Sequence, residues 1–326
     1  MKEKKETLEL FEKGFISADQ FAAIASYRSQ GLFSLRSEIR FLFFIAVSLF
    51  VSGAGILVYQ NINSVGHVSL LSLLFILCSF CFFYAFKHAP GFSNEKQESK
   101  KSLFPYVVLA GNLLAGIFMG YLQYQYAVFG THYNIATLVP TLLYFFSAYY
   151  FDHKGVLAIG ITGLCAFIGF SASPSGLLYN DFSETWGLVY YAIALAFVFI
   201  VWADFAESGN FKKHFNETYY HFSLHILGVA TLSQINDTYW PLAMALLAAA
   251  VFYFVRLAYK LKSAYFLVFA YIYGFFGLSS LFVKLFEFVN LMSLIIYLSP
   301  FYLMGVIYFL IKIIRHLKKH SQYDSL

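Results

Sequence analysis

Residues 41–59 read FLFFIAVSLFVSGAGILVY, nineteen positions without one charge. As an α-helix this stretch covers about 28 Å, close to the roughly 30 Å of a bilayer's hydrocarbon layer. Runs of the same kind recur near 68–86, 106–124, 135–151, 156–172, 186–205, 219–235, 240–259, 264–283 and 288–311. They are continuously apolar, without the alternation of barrel strands, so helices must satisfy the backbone in lipid. The fold expected is all-α: a polytopic integral membrane helical bundle of about ten transmembrane helices, preceded by a short cytoplasmic helical hairpin. The pair 135–151 and 156–172 is short enough that a re-entrant arrangement stays open beside two full spans.

Composition supports the same class. Of 326 residues 60% are hydrophobic and 12% charged, against roughly 25% charged in a soluble domain. The net charge of +5 does not point to nucleic acid, because the basic residues lie in short tracts at helix ends. Positive segments stay in the cytoplasm. With the N-terminus inside, 21 of the 22 Lys and Arg residues fall on inner segments and only Lys284 falls outside. That bias requires an even number of spans and puts both termini in the cytoplasm. Tyr59, Tyr133, Trp186, Tyr239 and Trp240 then sit at outer span ends, where aromatic rings anchor to headgroups. Lys284 and Glu287 form an i, i+3 pair that neutralises the exception. Cys78, Cys81 and Cys165 all fall inside apolar runs and indicate neither a disulfide framework nor a zinc knuckle. The first forty residues are charged and amphipathic, unlike a signal peptide, so the first span is expected to remain uncleaved.

Three parts are expected: a hairpin over 1–39, a ten-span domain over 40–313 and a basic tail over 314–326. In the hairpin, Glu6 to Lys13 carries Leu8, Leu10 and Phe11 and ends at Gly14, suited to a left-handed cap. Ser17 and Gln20 have the spacing of a capping box for a second helix, and Ile16 with Phe21 that of a staple. The apolar faces of residues 5–30 pack together, lie on the membrane or meet a protein partner.

The stretch Leu10-Phe11-Glu12-Lys13-Gly14-Phe15-Ile16-Ser17, followed by Gln20, Ile24 and Tyr27, resembles the N-terminal signature of the prokaryotic membrane family called domain of unknown function 2157. Gly53-Ala54-Gly55-Ile56 and Tyr59-Gln60-Asn61-Ile62 occupy the places of that family's small-residue patch and polar exit. Where family members carry a tryptophan after the exit, this chain reads Asn63-Ser64-Val65. The resemblance covers roughly residues 8–86. It implies a bacterial inner-membrane protein and brings no activity or catalytic residues.

Six polar residues in or beside the spans form the candidate cluster. His221 and His225, four apart, share a helix face at the spacing of metal-binding helices, though no glutamate follows the first histidine. The structural alternative is hydrogen bonding within the bundle. Asp204 and Glu207 end the sixth span, three apart, either as a proton-relaying pair near those histidines or as a solvated helix end facing Lys212 and Lys213. Asn112 and Gln123 on the third span either line a pathway or bond between helices. Asp152 and His153 read as an interfacial turn, and Gly116 with Gly120 as a close-packing pair. No phosphate loop, dinucleotide fingerprint, calcium loop or nucleophile elbow occurs, and no cofactor is expected. The expected role is a non-enzymatic accessory or scaffold of an envelope system. A transporter or lipid-handling protein with a cavity among spans three, six and seven is the alternative, and a membrane-embedded enzyme the third. Membrane lipids are the expected partners.

Overall fold

A computed structural model describes residues 11, 14–29, 36–60, 66–97, 101–172, 186–235, 237–288, 297–302, 304, 305 and 308. Its helices are α1 (Ala18–Ser29), α2 (Arg36–Gln60), α3 (His67–His88), α4 (Phe104–Tyr126), α5 (Tyr133–Phe151), α6 (Lys154–Ala172), α7 (Trp186–Ser208), α8 (Asn216–Ser233), α9 (Trp240–Leu261) and α10 (Ala264–Phe288). A 3₁₀ turn, Lys213–Phe215, precedes α8. Among the described residues there is no strand, and the fold is a polytopic helical membrane bundle.

Helices α3, α4, α6, α7, α9 and α10 are long and apolar enough to cross a membrane, while the apolar part of α2, Phe41–Ile56, is shorter. α5 and α8 occupy the expected fourth and seventh spans, and α8 is the more polar. Its packing explains this, since α8 buries Tyr219, Tyr220, Ser223, Leu227 and Thr231 against its neighbours α6, α7 and α9. A helix that meets protein on several sides does not need a lipid-facing surface all round. α4 shows the same trend: its mean hydropathy of 1.5 is the lowest of the six and its buried share the highest. The expected tenth span, 288–311, and the tail fall largely outside the described residues, although 297–302 is helical.

α5 and α6 are continuous helices of 19 residues each. At about 28 Å each is close in length to the hydrocarbon thickness. They meet at Asp152, whose left-handed backbone (φ 57°) ends α5, and pack closely because α6 offers glycines. A Cβ on Gly163 would overlap the Thr141 hydroxyl, and one on Gly160 would lie 3.4 Å from Tyr144. Gly116 on α4 likewise admits the Tyr144 hydroxyl, whereas Gly120 has no such neighbour. Of the expected glycine pair, only Gly116 is a close-contact position.

The chain divides into two compact units, Met1–Ile39 with Leu278–Leu326, and Arg40–Gly277. In the first, the capping box is formed: Gln20 N–H donates to Ser17 Oγ (3.2 Å) and Ser17 N–H to Gln20 Oε1 (2.9 Å). Gly14 is left-handed (φ 71°) and its N–H reaches Phe11 O. Phe21 packs on the ring of Phe11, centroids 4.9 Å apart. Lys284 pairs with Glu287 at 2.8 Å, and Tyr302 stacks on Phe282 while bonding Ser279 at 2.6 Å. The remaining unit carries all six candidate residues.

Candidate functional site

The six residues do not converge. α4 packs on α3, α5 and α6, whereas α7 packs on α8 and α6, so Asn112 and Gln123 belong to a different group of helices from Asp204, Glu207, His221 and His225. Gln123 works at the end of α4. Its amide donates to Gly130 O (2.8 Å) and its carbonyl accepts from Phe129 N–H (3.0 Å), so one side chain holds the turn leading to α5. Asn112, fully buried, donates to Val108 O at 2.8 Å within its own helix.

The two histidines do share a face, as their spacing requires, and that face meets α10. His225 bonds Tyr273 (2.9 Å) through Nδ1 and Tyr265 (2.6 Å) through Nε2, so both ring nitrogens are occupied. His221 stacks on Tyr265 with ring centroids 4.1 Å apart. Among the described residues no group of three His, Cys, Asp or Glu side chains could hold a metal. Asp204 accepts from Tyr220 (2.5 Å) and Glu207 pairs with Lys260 (3.0 Å). Neither faces Lys212 as expected, because Lys212 turns the other way.

Among the described residues, Lys212 marks the most deeply buried ion pair. It is 1% exposed, and its ammonium donates to Asp152 Oδ1 at 2.8 Å, with Asp152 only 4% exposed. His214 reaches the same oxygen at 2.5 Å, while Gln97 N–H donates to Oδ2 at 2.6 Å. The rings of Phe92 and Phe215 flank the ammonium at 5.2 and 5.7 Å, a cation–π setting that favours the charge in a dry place. Asp152 thus ties together the connection after α3, the α5–α6 turn and the α7–α8 connection. Left-handed backbone at both Asp152 and Lys212 (φ 46°) aims the two side chains at each other. Burial opposes the charge on Asp152, but Lys212, the Gln97 amide and His214 outweigh it and hold the carboxyl below its usual range. Next to it, burial pushes His153 below its ordinary value, against the opposing pull of Pro105 O and Asp152.

This clasp lies at one end of the bundle, together with Lys154–Glu217 (3.3 Å) and Lys260–Glu207. Connections that the charge count puts on a common side therefore meet. The opposite end is held by neutral bonds, His67 to Tyr121 (2.8 Å), Gln123 to its turn, and Asn134 to Ser171 (3.3 Å). Sequence reasoning missed the clasp. Asp152 and Lys212 were both visible as charges at span ends, but 60 residues separate them and no spacing rule pairs them.

Long apolar helices, a charged end and polar groups turned inward define a multi-pass membrane protein. Residues 8–157 match the model of a family described as "Predicted membrane protein (DUF2157)". The resemblance seen in the N-terminal signature is real, and it extends beyond residue 86 through α5 to the clasp turn at Asp152. Lys212 and His214 lie outside the matched part. Comparison with curated proteins and comparison with solved structures gave no match.

Proposed function

We propose that the protein is a non-enzymatic accessory or scaffold of the bacterial inner membrane, with both ends in the cytoplasm and the hairpin of residues 5–30 as its contact for a partner protein. The observation that carries this reading is how the inward polar groups are used. Gln123 holds a turn, Asp152 joins three connections, and His225 links α8 to α10 through two tyrosines. Each fixes one element against another, which is what a frame requires, and a permeation path would instead present such groups to solute. Native mass spectrometry of gently purified protein tests it. A stoichiometric partner chain should be present, and should be lost on deletion of residues 1–30 while the bundle still inserts. Stoichiometric metal that disappears in His221→Gln/His225→Gln, or solute flux in vesicles that depends on those residues, would overturn the reading.

A further inference from the structure

Two buried polar atoms, one on α4 and one on α5, have no hydrogen-bond partner in the protein: Asn112 Oδ1 and Ser147 Oγ, each on a residue with 0% exposure. A serine or threonine in an apolar helix ordinarily donates to the carbonyl one turn back. The other buried serine and threonine hydroxyls among the described residues do so, Thr141 to Thr137 O, Ser223 to Tyr219 O and Thr231 to Leu227 O. Ser147 does not. It stands on the stripe Tyr144, Ala148 and Phe151 that α5 turns toward α4, as shown by Tyr144 at Gly116 and by the Phe151 ring on Phe104, 6.0 Å between centroids. The Phe104–Phe151 contact sets the register of the antiparallel pair. One turn in from it, Ser147 is level with Val108, whose carbonyl holds the Asn112 amide at 2.8 Å.

We infer that Asn112 and Ser147 together form a binding site for a single internal water between α4 and α5. A carbonyl oxygen can only accept and a hydroxyl can do either, so one water donating to Asn112 Oδ1 satisfies both atoms, the usual role of buried water. Val108, Leu109 and Ala148, near the site along the two helices, are themselves buried, in keeping with a ligand as small as water. A cation would need several more oxygen donors than two.

The full-length protein in lipid bilayers provides the test. With asparagine labelled by nitrogen-15, the Asn112 side-chain amide, assigned by its loss in Asn112→Leu, should receive magnetisation from water in solid-state NMR. No transfer to that amide would overturn the site. Stability gives an independent reading that does not need the asparagine signal. Ser147→Ala and Asn112→Leu should each lower the unfolding midpoint by ~2–4 °C, and the double variant should fall no further than the worse single one, because both act through a shared water. Additive losses would mean two separate sites. A midpoint raised by Ser147→Ala would mean a dry, unpartnered hydroxyl, and either result refutes the proposal.

Discussion

An ammonium with 1% exposure is tolerable only while its carboxylate partner stays. Lys212→Met should therefore destabilise the protein by roughly 3–5 kcal/mol, because Asp152 is left charged and buried. Changing Asp152→Leu as well should recover most of that loss, since an apolar pair of similar volume is often neutral. Thermal unfolding in detergent reads both, and a double variant as poor as the sum of the singles would show that the residues do not act as a pair. Acid response separates the neighbours at this turn. His153 has a depressed pKa in the folded protein, so the unfolded chain binds the extra proton first, and stability is complete above about pH 6.5 and declines as pH falls below it. Asp152, also depressed, contributes fully above about pH 4 and is lost only below that. His153→Gln should accordingly reduce the fall of the unfolding midpoint as pH drops below about 6.5. An unchanged slope would place the sensitivity elsewhere.

At the level of elements, close approach of helices depends on single atoms. A Cβ on Gly116 collides with the Tyr144 hydroxyl, so Gly116→Ala should cost about 1–3 kcal/mol. Tyr144→Phe removes the colliding atom, and the double variant should be more stable than Gly116→Ala alone. The same measurement on Gly120→Ala, which meets nothing within 4 Å, should show little change. The cap of α1 is local by comparison. Ser17→Ala removes an acceptor from Gln20 N–H and should lower helix stability by about 1 kcal/mol, read by circular dichroism on a peptide of residues 1–36. Equal helicity in both peptides would count against the helix start at Ala18.

For the whole molecule, the sidedness of the connections is the testable quantity. On a background lacking Cys78, Cys81 and Cys165, cysteines at Ser93 and Ser208 should label from the inside, and those at Asn63, Ser175 and Asp237 from the outside. Labelling of Ser175 and Ser208 from one side would break the proposed order. The reason to expect success is physical: basic tracts are retained where the membrane potential and anionic lipids favour them, and Lys154, Lys212 and Lys260 do meet acidic partners at one end of the bundle.

Much of this architecture was legible because its signals are local. Nineteen uncharged residues at 41–59 fall within the helix α2, Ser17 and Gln20 cap within one turn, and Lys284 finds Glu287 three residues away. The match of the first part to a family model was also written locally, in the residues around Gly14 and Gly53. The site was less legible because its partners are distant along the chain. Composition placed α8 among the spans, and its enclosure by α6, α7 and α9 accounts for its being more polar than the others. Histidine spacing placed His221 and His225 on one face, but it was α10 that supplied tyrosines there and not metal ligands. Sequence determined the class and the described helices, since those follow from transfer of short segments between water and lipid. Tertiary structure decided which charges pair, because Asp152 reaches Lys212 across 60 residues only after four helices have packed.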